Sequence, residues 1–234
     1  MSLISIGGSI AMGLVEIQAK WFLKFEDMRR AERGDALAAP FFSYHSKAEP
    51  TSPLGPILLV GKATAKSWKL QEFQASEKCP ISDRVKERLA ATKGHLKEMG
   101  DRQPSAFWRF WKALHAFGSP VIWTNQAKIG MRIGNPKGGY FSAQADLAHE
   151  TLRAEADEYN PSLVVIVGEL GTNEIIHRTF GKRADWNEQT DELCWIEAKG
   201  QKPAVLWVDH PERKKRRRVE LWLEKAGDLI GRRR

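Results

Sequence analysis

Cysteine is scarce in this chain of 234 residues: Cys79 and Cys194 are the only two. Far apart in sequence, they supply neither a disulfide framework nor a metal-ligand cluster. A reduced, cytoplasmic protein without a cofactor is the expectation. Long apolar runs are missing too. None approaches the roughly 18 residues that a membrane span needs, so no membrane partner is expected. Met1 to Leu14 lacks a basic start and a small-residue cleavage site, and Glu16 and Lys20 follow, so it does not read as an export leader. Nucleotide fingerprints are absent as well. The glycine-rich stretch Gly130 to Tyr140 carries Arg132 and Lys137, and its amides could cradle a phosphate. Lys137 is not followed by Ser or Thr, however, so it does not match a P-loop. No dinucleotide-binding glycine pattern follows the first apolar run, and there is no internal repeat.

Acidic residues are also the minority: 29 Asp and Glu stand against 37 Lys and Arg, a formal charge of +8 with pI near 9.5. A polyanionic partner such as nucleic acid fits that balance, and so does an ordinary basic enzyme. Charge location tips it toward nucleic acid. Arg213, Lys214, Lys215, Arg216, Arg217 and Arg218 form one unbroken run, and Arg232 to Arg234 follow.

Hydrophobic residues make up 42% of the chain, enough for a sizeable core without staples. Four short apolar runs stand out: Pro56-Ile-Leu-Leu-Val-Gly61, Pro120-Val-Ile-Trp-Thr-Asn125, Pro161-Ser-Leu-Val-Val-Ile-Val-Gly168 and Pro203-Ala-Val-Leu-Trp-Val-Asp209. Continuous apolarity, rather than alternation, predicts strands buried on both faces, as in a parallel sheet. Helical patterns span 19–33, 82–99, 105–117, 143–159 and 217–229. The rhythm predicts a three-layer αβα sandwich around a mainly parallel four-stranded sheet. A helical extension over residues 1–50 would pack on a single α/β domain over 51–234, reached through the linker Ala48 to Pro56.

Ligands of such sheets sit at the carboxyl ends of the strands. Those ends read Gly61-Lys62-Ala63-Thr64, Thr124-Asn125-Gln126-Ala127-Lys128, Gly168-Glu169-Leu170-Gly171 and Asp209-His210-Pro211. Asn offers both a donor and an acceptor to a base edge or an amide. His can donate to a developing anion, and glycine admits close backbone approach. Taken singly, Asn125 could cap a turn, His210 could be a loop histidine and Gly61 could simply end a strand. Their convergence on one edge favours a site.

The set strand-Gly-x-x-x-x, strand-Thr-Asn-x-x-Lys and strand-His-Pro resembles the uracil-DNA glycosylase superfamily, at motif level, over roughly residues 53–229. The resemblance implies a monomeric enzyme acting on DNA, with the target nucleotide flipped out of the stack. Asn125 would read the base and His210 would stabilise the departing anion. Gly61 and Ala63 would border the base, with an aromatic stacked on it: Trp68 first, Phe107 or Trp108 otherwise. Thr64, or the backbone of its loop, would position water, and Asp209 would orient His210 or stabilise the sugar cation. Lys128 and Arg213, Lys214, Lys215, Arg216 and Arg217 would hold phosphates.

The chain departs from the family at two places. Lys62 stands where a branch of the family has an acid, and the iron-sulfur cysteines of that branch are missing. Lys62 keeps three readings: a phosphate contact, a solvated loop lysine, or a Schiff-base nucleophile. Glu212 and Arg213 follow His-Pro where an apolar wedge is usual. The departures point to excision of a modified or damaged pyrimidine, with modified phage DNA and antiviral defence as one setting. Uracil excision in base excision repair is the alternative. A catalytically silent nucleic-acid-binding domain on the same fold is another.

Overall fold

A computed structural model of the chain describes residues 12–32, 37–43, 55–65, 80–101, 105–131, 138–168, 174–180, 188–189, 193–196, 203–212 and 216–231. All four apolar runs form parallel strands: β1 (Ile57–Ala65), β2 (Val121–Met131), β3 (Leu163–Val167) and β6 (Ala204–Val208). Two short strands, β4 (Glu188–Gln189) and β5 (Leu193–Ile196), add an antiparallel edge. The sheet therefore has six strands, in the order β2-β1-β3-β6-β5-β4, rather than four. β1 hands the chain to β2 on one side, and β2 hands it across β1 to β3 on the other. The strand order reverses between β1 and β3, and the crevice outside their carboxyl ends is where such a sheet receives ligand.

Helices cover both faces, and one helix is reached through the short α4 (Gly139–Ser142). Alternate strand residues Leu58, Val60, Ile122, Val164, Ile166, Val205 and Trp207 share one core with helices α1 (Met12–Glu32), α2 (Ile81–Asp101), α5 (Ala145–Tyr159) and α6 (Glu174–Phe180). Their neighbours Ile57, Leu59, Val121, Leu163, Val165, Val167, Leu206 and Val208 face α3 (Ala106–His115) and α7 (Arg216–Gly231) through Phe110, Leu114, Trp222 and Leu229. The period-two alternation of a strand makes two cores from runs that are apolar throughout. α5 ends on Asn160 in the left-handed conformation (φ 43°), a cap that asparagine tolerates, and Pro161 then bars further helix. Among the described residues, no helix is long and apolar enough to cross a membrane.

The amino-terminal part is more than a cover. Trp21, Phe22, Phe25 and Met28 of α1 enter the same core as β1 and β3. Residues 37–43 then run along the outer edge of β2. Leu37 bridges Met131, the Ala38 amide donates to Gly130 O, and the Phe41 amide donates to Lys128 O. α2 clamps the segment: Arg88 Nε donates to Pro40 O and Thr92 Oγ1 donates to Phe42 O. An otherwise bare sheet edge is thus closed.

β1 and β2 also run past the apolar stretches that announce them. Gly61 and Asn125 lie within strands, paired with each other, instead of opening loops. The register shifts beyond Ala63, and the Gln144 amide satisfies both the N–H and the C=O of Ile129 there. A side chain takes over for a missing strand partner, which lets β2 continue.

Candidate functional site

Trp123 and Asn125 are two apart on β2, so their side chains share the face turned toward α3. The Trp123 indole Nε1 donates to Asn125 Oδ1 at 3.2 Å. The amide lies over Gly61 of the neighbouring strand: a Cβ there would sit 2.5 Å from Asn125 Oδ1 and 3.3 Å from Trp123 Nε1. Only glycine leaves that space, so Gly61 is needed for the position of Asn125 rather than for the end of a strand. Asn125 is 1% exposed, and its Nδ2 has no hydrogen-bond partner among the described residues. A buried amide nitrogen without a partner costs about 1–3 kcal/mol, so the fold is poorer for holding it this way unless a ligand takes the bond.

Aromatic rings pack around the Trp123 that holds the amide. Trp123 touches Phe41 (ring centroids 4.3 Å apart), Trp108 (5.0 Å) and Phe107 (5.9 Å). Phe107, half-buried, also lies 6.3 Å from the His210 ring, nearly parallel to it at 17°. His210 follows β6, and Asn125 lies across the sheet on β2. Four strands at about 4.8 Å spacing put such positions roughly 14 Å apart. Phe107 fills part of that interval and faces both ends. Of the two described candidates for a stacking aromatic, Phe107 is the one that lies against both Trp123 and the histidine. Trp108, 9% exposed, packs edge-on against Trp123. Trp68 lies outside the described residues.

The turn after β6 is internally braced. Asp209 Oδ1 accepts the His210 amide at 2.8 Å, and His210 Nδ1 accepts the Glu212 amide at 3.2 Å. A ring nitrogen that accepts an N–H carries no proton, so the neutral imidazole holds its proton on Nε2 and can donate from there. Pro211 is buried and His210 exposed, so the turn is anchored while its histidine faces outward. Asp209 acts here on the backbone of His210. At the end of β3, Gly168 adopts φ 99°, a conformation that favours glycine, and its carbonyl accepts the Trp207 indole N–H at 2.7 Å.

Other candidate residues are not brought to this place. Lys128, expected to meet phosphate, is fully buried on the opposite face of β2. Its Nζ pairs with Glu155 at 2.7 and 2.9 Å and donates to Thr124 Oγ1. Desolvation pushes the Lys128 ammonium below the usual lysine range, and Glu155 opposes that shift. Thr124 and Ser43 also donate to Glu155, and Ser43 shares a hydrogen bond with Tyr159. Burial, with the Glu155 charge next, holds the Tyr159 phenol above the ordinary tyrosine range. Lys128 is a core ion pair because Glu155, on α5, neutralises it. No phosphate can reach it.

Lys62 turns to that same opposite face, its Nζ 5.6 Å from the centre of the Phe141 ring. Ala63 is half-buried and pairs with Ala127. Thr64 lies in β1, but its side chain is outside the described residues, as are Arg213, Lys214 and Lys215. Arg216 and Arg217 are exposed in the first turn of α7, where Arg216 pairs with Glu220. Positive charge in a first turn opposes the helix dipole, a cost that the Arg216–Glu220 pair offsets in part. Among the described residues, no group of three or more His, Cys, Asp or Glu could hold a metal ion. Neither a protein-family model nor a curated protein sequence matches the chain.

Proposed function

We propose that the protein is a monofunctional DNA glycosylase that extrudes a modified or damaged pyrimidine and hydrolyses its glycosidic bond, leaving an abasic site. The observation that carries this reading is the Asn125 amide, buried and, among the described residues, with an unmatched nitrogen, on the same sheet edge as His210, with Phe107 spanning from Trp123 to the His210 ring. A planar ring entering there would meet a polar edge reader, an aromatic face and a neutral imidazole donor. In the reaction the C1′–N1 bond breaks with its electron pair leaving on the base. His210 Nε2–H donates to the oxygen where that charge collects. Water adds to C1′, and the proton it releases neutralises the departed base anion, directly or through solvent, so that the products are the abasic sugar and the neutral base. Arg216 and Arg217 would track the phosphates, with the basic residues just before them. Removal of bases from modified phage DNA in antiviral defence fits the altered first motif, with uracil repair as the alternative substrate setting.

A second reading, a non-catalytic nucleic-acid-binding domain, draws on Lys62. The residue that replaces the family's acid faces away from Asn125, and Asp209 is engaged in its own turn. One assay separates these readings. The protein is incubated with uracil-containing, hydroxymethylcytosine-containing and glucosylated phage DNA, and abasic sites are then cleaved with alkali. Sites that vanish in His210→Ala and Asn125→Ala establish the glycosylase, and the substrate that yields them separates repair from defence. Binding without base release in all three would overturn it in favour of the binding domain.

A further inference from the structure

We propose that Trp123 is a positioning residue that fixes which atom of Asn125 meets the ligand. The inference rests on the reading of Asn125 as a base reader and adds to it a determinant two residues away. An asparagine amide can present oxygen or nitrogen by turning over, and the two faces select opposite partners. An indole N–H only donates, so its bond to Asn125 requires the amide oxygen on the Trp123 side. Oδ1 is further hemmed in by the backbone of Gly61. Among the described residues, Nδ2 is left as the atom without a partner.

Trp123 itself cannot easily swing. Its ring is 6% exposed and is held by Phe41, Trp108 and Phe107. Phe41 in turn belongs to the segment that α2 clamps along β2. The amide is therefore preorganised as a donor before any ligand arrives. At the position that meets Nδ2, a base edge offering an acceptor is accepted, and one offering an amino group places donor against donor. Removing the indole N–H frees the amide to turn over, and discrimination should fall although the reader is still present.

The test compares wild type, Trp123→Phe and Asn125→Asp on matched oligonucleotides. These carry 5-hydroxymethyluracil or 5-hydroxymethylcytosine, which differ at the 4-position as oxo against amino. Base release is read by alkaline cleavage, and binding of free uracil and free cytosine by calorimetry. Wild type should prefer the 4-oxo partner by roughly ten- to a hundredfold. Trp123→Phe should lose most of that ratio, and Asn125→Asp, which keeps the Trp123 bond but removes the donor, should lose or reverse it. The ratio is internal to each protein, so a variant that is merely less stable lowers both rates and leaves it unchanged. Base release with an unaltered ratio in Trp123→Phe, or a wild-type ratio that favours the 4-amino partner, overturns the positioning role and leaves the glycosylase reading intact. Free uracil bound over cytosine without base release, with the preference lost in Trp123→Phe, overturns the glycosylase reading and supports the positioning role. Neither release nor binding overturns both.

Discussion

The two faces of β2 handle polar residues in opposite ways. Toward α5, Thr124 and Lys128 join Glu155, which also accepts from Ser43; every donor there has its acceptor, and the group is sealed from water. Toward α3, Trp123 holds one atom of Asn125 and leaves the other without a partner. Both sets are buried to a similar degree, so burial alone does not separate structure from site. Satisfaction does. A matched buried network stabilises a fold only if it is complete. An unmatched donor in an aromatic wall makes sense as half of a bond to something else.

The largest test of this contrast is Glu155→Ala. It leaves Lys128 buried without its carboxylate and strips Thr124 and Ser43 of their acceptor. We expect a loss of about 3–5 kcal/mol in urea unfolding, comparable to much of a domain's stability. Replacing Glu155 and Lys128 together with Leu and Met should recover a good part of it, because an apolar pair of similar volume carries no desolvation penalty. If the single variant lost under about 1 kcal/mol, the network would not be structural.

Asn125→Ala should behave in the reverse manner. Base release should fall about a hundredfold or more, the scale on which a donor at a reacting site matters. Stability should hold within about 1 kcal/mol, since the substitution removes one unmatched nitrogen and leaves the Trp123 indole N–H without its Asn125 acceptor. Gly61→Ala should lower release similarly, by driving a Cβ into the space of Asn125 Oδ1. A marked loss of stability in Asn125→Ala would make the amide a core residue and erase the contrast. A milder effect is expected at α7. Arg216→Ala with Arg217→Ala should weaken DNA binding evenly across sequences. The slope of its salt dependence should flatten by about 0.9 unit for each phosphate that the variant leaves unneutralised.

The sequence carries part of this picture and withholds the rest for identifiable reasons. The four parallel strands are legible because continuous Val, Ile and Leu runs serve both faces of a sheet. Their true lengths are not, because Lys128 reads as an exposed cation until Glu155, on another element, is placed against it. Residues 37–43 show no periodicity, since their shape comes from Arg88, Thr92 and the edge of β2. Asn125 and His210 are legible as candidates from the rule that ligands gather at carboxyl ends. Trp123 carries a local signal that an apolar strand position hides: Trp-x-Asn in a strand puts a donor and an amide on one face. Sequence position puts Trp68 first of the three aromatics and gives Phe107 no signal of its own, because its place between Trp123 and His210 depends on how α3 crosses the sheet.

The smallest expected effect lies at the far end of the same aromatic stripe. Trp111 and His115 are neighbours on α3, ring centroids 4.3 Å apart, and His115 Nε2 is buried without a partner among the described residues. Burial lowers the His115 pKa from 6.5, because the protonated ring loses its water. Above about pH 6.5 the ring is neutral in both folded and unfolded chains, and it adds no pH dependence. Between that value and the lower folded one, the unfolded chain holds a proton that the native state refuses. Stability therefore rises with pH in this window, and is lost as pH falls from 6.5 through the folded value. His149 shifts in the same direction, by desolvation first and then by Arg178 and Arg153, so it adds to the slope. His115→Gln should make urea midpoints measured from about pH 7.5 down to about 5 flatter than wild type without abolishing the trend. The ring is partly exposed, which screens the effect and keeps it small. Here an unmatched nitrogen belongs to a neutral ring that solvent still touches, so its removal should alter acid stability and leave base release unchanged. Loss of base release in His115→Gln at neutral pH would extend the site down the whole aromatic stripe and blunt the contrast drawn at Asn125.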